Sequence, residues 1–174
     1  LSRGENLSPL DNPPIFEDIE CEPELIDIKF ISEPWDCGGL YKLGDFPSKN
    51  TFTWNGHFRD DLRRFWKGDK DTAWNMSDKI KGTPSIYKED NIFPKSINFI
   101  TSHDGFTLKD LVTFNRKHNF ANREQNRDGD NHNNSWNHGT EGPTTNLLIN
   151  DLRKRQQKNL ILSLLISKGV PMIL

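Results

Sequence analysis

Three residues combine acid–base chemistry with a placement that can focus it: Glu33, His103 and Asp104. Each follows a strand-like apolar run. Ile26 to Ser32 alternates through Ile26, Ile28 and Phe30 and ends at Glu33; Ile97 to Ser102 ends at His103-Asp104, with Gly105 behind. Charged groups resist burial, so a strand that stops at them puts them at its rim and not in its core. Two carboxylates that share a cleft suit glycoside hydrolysis. One, protonated, donates to the leaving oxygen; another, ionised, acts as nucleophile or steadies an oxocarbenium-like transition state. Local environment decides which acid holds the proton. Trp35, Trp54 and Phe106 offer faces for sugar rings, and His103 can donate to a sugar hydroxyl. From spacing alone the plainer alternative stays open: an Asp and a Glu that cap loops.

The elements that must position these groups alternate. Pro-rich, acidic residues 1–25 read as loop with a short helix near Ile15 to Ile19. Asn50 to Phe58 reads as a strand. Phe58 to Trp66 has apolar residues at helical spacing, with Gly68 as the stop. Thr107 and Asp110 form a short capping box that starts a helix. Residues 115–146 are a long polar loop, and loops of that length inside a domain usually serve function. Leu147 to Lys168 reads as a helix capped by Gly169, and Val170 to Leu174 as a buried strand. Strands alternating with helices predict an α/β fold with parallel βα units. Acids just past strand ends then sit on the face where a (β/α)8 barrel keeps its catalytic loops.

Bulk composition excludes some functions. The 174 residues carry 23 basic and 25 acidic side chains, net −2, which argues against nucleic acid and anionic membranes as partners. No apolar run approaches the ~20 residues needed to span a bilayer. Apolar content is 33%, and the 12 glycines leave it short of the usual ~45–50%, so the core is small or incomplete. Cys21 and Cys37 make no metal-type pair and read as free thiols of a reducing compartment. Asn6, Asn75 and Asn133 fit a glycosylation pattern that is common by chance.

The longer words are more specific. SEPWDCGGLYKLGDFP (Ser32 to Pro47), WNGHFRDDLRRFWKGD (Trp54 to Asp69), INFITSHDGFTLKDLVTFN (Ile97 to Asn115), NRDGDNHNNSWNHGTEGPT (Asn126 to Thr144) and RKRQQKNLILSLLISKGVPMIL (Arg153 to Leu174) cover nearly the whole chain. They resemble the isoamylase and glycogen-debranching branch of the alpha-amylase superfamily. The resemblance implies part of a (β/α)8 TIM barrel, about strands five to eight with long βα loops. Residues 1–174 would then be a partial catalytic domain, without its N-terminal half and flanking β-domains. It implies Glu33 as general acid/base, Asp104 as transition-state stabiliser and His103 as a substrate contact; Trp35 and Asp36 are either substrate contacts or loop packing. The family's nucleophile, an Asp, falls just upstream of a segment like Ser2-Arg3-Gly4, outside this chain.

The implied activity is hydrolysis of α-1,6 branch linkages in glycogen, amylopectin or limit dextrins, with retention; the segment alone would be inactive and marginally stable. The alternative is a non-catalytic glucan-binding or scaffold relative. Neither reading calls for a cofactor, and both place the protein in the cytoplasm or a plastid stroma. No oligomeric state follows from the sequence. The Asp128 region does not fit a calcium loop, because Asn133 and Gly139 stand where Gly and Glu are required, and His118, His132 and His138 lack zinc spacing. That loop either hydrogen-bonds itself or lines a glucan groove. Trp54, Asn55, Arg59 and Asp60 read as organisers of a strand-end loop. Arg63, Arg64 and the run Arg153 to Lys158 read as solvated helix faces.

Overall fold

The structure, a computed structural model, describes residues 3–48, 50–87 and 95–174. Four strands, β1 (Phe30–Ser32), β2 (Thr51–Asn55), β3 (Ser96–Phe99) and β4 (Val170–Met172), form one sheet in chain order. Every neighbouring pair is parallel. Parallel neighbours need a crossover, and helices supply two of the three. Helices α2 (Gly56–Lys67) and α3 (Ala73–Ile80) connect β2 to β3; α4 (Leu147–Ile166) connects β3 to β4. A short α1 (Pro14–Cys21) precedes the sheet. The α/β expectation holds.

Several boundaries differ from the sequence expectation for physical reasons. β1 starts only at Phe30, because Ile26 and Ile28 lie 80% and 51% exposed and the Ile28 N–H closes a turn onto the Leu25 carbonyl. β2 ends at Asn55 because that side chain caps α2, accepting from the Phe58 N–H at 2.9 Å, so residues 56–58 are helix and not strand. Gly68 ends α2 as expected, at φ 93°, with its N–H on the Arg64 and Phe65 carbonyls. Helix α3 carries Ala73, Met76 and Ile80 at helical spacing; Met76 is buried and Ile80 packs against the core, while Trp74 is 79% exposed. The Thr107–Asp110 box forms, at 2.8 Å between side chains, yet it opens only a 3-10 turn, Asp110–Val112. β4 is an exposed edge strand, not a buried one.

The apolar core sits where the helices meet. Phe58 and Leu62 of α2, Met76 of α3, and Leu160 and Leu164 of α4 enclose Ile100, Phe106, Leu111 and Val112. A buried polar spine runs beside it. The Asn55 amide donates to the Thr83 hydroxyl (3.0 Å) and to the Ser96 hydroxyl (2.9 Å). Ser96 donates to Asn98, whose amide reaches the Lys168 carbonyl. Thr83 holds φ 59°, a conformation costly for a β-branched residue, and Asn55 locks it there. Gly169 is obligatory beside this spine, since a Cβ would lie 2.5 Å from the Asn98 amide nitrogen. Outside the core, Ile31, Leu162, Leu165, Ile166 and Ile173 remain exposed, in keeping with the low apolar content.

The Asn55→Ala substitution removes the α2 cap and the donor that the buried Thr83 and Ser96 hydroxyls share. It is expected to cost about 2–4 kcal/mol, read as a lower midpoint in chemical denaturation.

Candidate active site

β1 and β3 are not neighbours in the sheet, yet the residues just past their C-terminal ends meet. The His103 Nε2 lies 3.9 Å from a Glu33 carboxyl oxygen and 3.6 Å from an Asp104 carboxyl oxygen. Both acids therefore flank one imidazole nitrogen. All three side chains are open to solvent, at 41% for Glu33, 61% for His103 and 70% for Asp104, so a substrate can reach them. The ring of His103 leans on Trp54 (5.8 Å between centroids), which leans on Phe99 (5.3 Å). Arg59 covers the other part of Phe99 and pairs with Asp60 at 2.7 Å. Trp54, Arg59 and Asp60 thus support the strand end, as their sequence context suggests.

The Asp104 turn is fixed from behind. Gly105 has φ 80°, and a Cβ there would lie 2.6 Å from the Asn133 side-chain oxygen. That oxygen accepts the Phe106 N–H at 2.8 Å. Asn133 is buried by this contact, so its glycosylation pattern is not usable. Arg63 is also buried, at 3% exposure, and is not a solvated helix residue: its guanidinium donates to the Ile100 carbonyl and to the Asn133 carbonyl. Its neighbour Arg64 does face solvent and pairs with Asp69. Burial holds the Arg63 pKa down to about 10, far above neutral, so the charge persists.

The Glu33 side is built differently. Glu33, Trp35, Leu40, Phe16 and Phe46 line a cavity of about 300 Å³. Trp35 stacks on Tyr41 with planes 9° apart, and Tyr41 meets His57 edge-on. Burial, with the nearby Asp60 charge, pushes the Tyr41 hydroxyl up to about 12. Asp36 is fully engaged in the loop: Arg3 grips it with two nitrogens, and the Gly38 and Leu40 N–H groups donate to it at 2.8 and 3.0 Å. The Arg3 bond chiefly holds the Asp36 carboxyl far below the usual range. Ser2 of the Ser2-Arg3-Gly4 segment lies outside the described residues.

On the Asp104 side a second cavity, about 530 Å³, runs between His103, Asp104 and Phe106 and the loop that follows. The long loop is sewn to itself. Glu141 accepts from the Asn115 and Arg116 N–H groups, from the Asn137 amide at 2.9 Å and from His118 at 2.8 Å. Arg153, expected on a solvated face, is instead buried and gathers the carbonyls of Thr113, Asn137, Thr140 and Gly142. No short motif marks Arg63, Asn133, Glu141 or Arg153, because their partners lie elsewhere in the chain and are mostly backbone. Among the described residues no group of three or more His, Cys, Asp or Glu side chains is placed to hold a metal. Nor is any helix among them long and apolar enough to cross a membrane. Cys21 and Cys37 are free and exposed.

No family model matches the chain. Individual relatives do. It is 48% identical over 95% of its length to isoamylase 1 of Oryza sativa subsp. japonica, a protein named as chloroplastic. It is 47% identical over 95% to isoamylase SU1 of Zea mays, and 45% identical over 92% to the glycogen operon protein GlgX homologue of Haemophilus influenzae. The chain spans 21–25% of the length of these relatives. Over that span it is similar to isoamylases and to GlgX-named glycogen operon proteins.

Glu141 yields a pH expectation. The His118 bond and the donors from Asn115, Asn137 and Arg116 outweigh the desolvation cost and lower its carboxyl from 4.5 to about 2. A depressed carboxylate lends stability above its unfolded value and loses it as protons bind. Amide-exchange protection of residues 115–118 and 137–141 should therefore be full above about pH 4.5 and fall between there and pH 2. Glu141→Gln should weaken that protection at neutral pH and flatten its acid dependence.

Proposed function

We propose that the chain is the strand-five to strand-eight part of a (β/α)8 catalytic domain whose parent protein hydrolyses α-1,6 branch linkages of glycogen or related α-glucans with retention. The observation that carries this reading is the convergence of Glu33 and Asp104, from non-adjacent strands, on the one imidazole of His103. Similarity to isoamylases supports the bond type and the substrate class. In this scheme Glu33 donates its proton to the departing glycosidic oxygen. A carboxylate from another part of the parent attacks the anomeric carbon, as retention requires, from about 5–5.5 Å away. Glu33, now ionised, then takes a proton from the water that releases the sugar. Asp104 faces the positive charge that grows on the ring, and His103 holds a sugar hydroxyl between the two acids.

Trp35 borders the sugar path with its free edge, while Asp36 serves the site by holding its loop in place through Arg3. The parent works on branched glucan in the cytoplasm or plastid stroma. Residues 1–174 alone, lacking the attacking carboxylate, release no maltooligosaccharide from glycogen.

The test is Glu33→Gln in the full-length parent. Loss of general acid catalysis should lower kcat on branched glucan by about 10²–10⁴-fold, measured as reducing ends released. A near-normal rate would instead favour the non-catalytic, glucan-binding alternative.

A further inference from the structure

Glu33 stands at the foot of a small hairpin. Residues 34–42 fold back on themselves: the Lys42 N–H donates to the Pro34 carbonyl at 2.7 Å, the Asp36 N–H donates to the Leu40 carbonyl at 3.1 Å, and Trp35 faces Tyr41 in an isolated antiparallel bridge. Pro34 is buried, and a proline confines the residue before it to extended backbone, so Glu33 has little freedom of its own. Where the hairpin goes, the carboxyl follows. Arg3 anchors the hairpin at its tip, through Asp36. A second anchor, at its base, lies against the next βα unit.

That anchor is Tyr41 on Gly56. Gly56 is the buried first residue of α2, fixed in place by the Asn55 cap before it. A Cβ at position 56 would lie 2.9 Å from the Tyr41 hydroxyl oxygen, closer than ordinary packing permits, and 3.6 Å from the Trp35 ring. A helical position does not itself call for glycine, since alanine is the better helix former. The absent side chain at 56 is therefore room left for Tyr41. The Tyr41 ring cannot yield by itself. Trp35 stacks on it at 5.8 Å with planes 9° apart, and His57 meets it edge-on at 5.4 Å. A push on the hydroxyl passes through the stack to Trp35, two residues from Glu33.

We propose that Tyr41 and Gly56 form a positioning pair that sets the reach of Glu33 toward the leaving oxygen: the tyrosine seats the acid-bearing hairpin in a notch that the glycine leaves at the start of α2. The inference rests on the debranching reading for the role of Glu33.

Its test uses the full-length parent with Gly56→Ala, Tyr41→Phe and the double variant. Phenylalanine keeps the ring and its stack but lacks the oxygen that a Cβ at 56 would strike. Cleavage of a branched maltooligosaccharide is compared with hydrolysis of α-maltotriosyl fluoride, whose leaving fluoride needs no proton from an acid. Amide exchange of Lys42, bonded to Pro34, reports the hairpin directly. Gly56→Ala is expected to melt no lower than the parent and to exchange the Lys42 N–H faster. Its kcat/KM should fall about tenfold on the branched substrate and less than about twofold on the fluoride. In the Tyr41→Phe background the same substitution should cost less than about twofold on either substrate, with the Lys42 protection restored. An unchanged rate, an undiminished loss in the Tyr41→Phe background, or an equal loss on the fluoride overturns the inference. A parent inactive on branched glucan sinks the debranching reading instead. Lys42 protection that falls with Gly56→Ala and returns with Tyr41→Phe then still upholds the seat, and protection that ignores both substitutions removes it.

Discussion

One buried guanidinium ties the site together. Arg63 leaves helix α2, passes under the end of β3 to bond the Ile100 carbonyl, and continues to the Asn133 carbonyl in the long loop. Asn133 in turn closes the turn that presents His103 and Asp104. Helix, strand end and loop therefore share a single charged hinge-pin, and bonds to a charged donor inside a protein are stronger than neutral ones. Without it two carbonyls would be buried and unmet, and the turn behind Asp104 would lose its support. The Asp104 side of the site is set at a distance from this contact: the approach of Asp104 to the His103 imidazole and the start of the wall at Phe106.

The same logic repeats with Arg153 and Glu141 on the other end of the loop. A segment so rich in Asn, Asp and Gly has no apolar face to bury, so hydrophobic packing cannot order it. Its order comes from polar side chains that meet backbone groups across long sequence separations. One cation collects carbonyls and one anion collects N–H groups, and between them they complete the turns that the backbone alone leaves open.

How much of this could be read from the residues alone follows from the range of the forces involved. The strand that ends just before Glu33 and the stop at Gly68 rest on local rules, and the structure contains both; the strand before His103 stops already at Phe99, and the Thr107–Asp110 box forms but opens only a 3-10 turn. The meeting of Glu33 with His103 is not local, but parallel alternation and the motif words anticipated it. What escaped was burial of charge. Arg63 and Arg153 sit among polar neighbours on helices, where an arginine normally faces water, and nothing within a turn of either announces the carbonyls it will find. For Asp36 the residues alone left sugar contact and loop packing open, because its partner Arg3 lies far upstream; the structure shows the carboxylate holding its loop.

The sheet has one more property. Its two central strands are buried, whereas β1 and β4 lie at its margins with Ile31 and Val170 facing outward. Bare margins of this kind present backbone groups and greasy side chains together, which is the combination that recruits foreign strands. A polypeptide limited to these residues would therefore tend to associate through both margins.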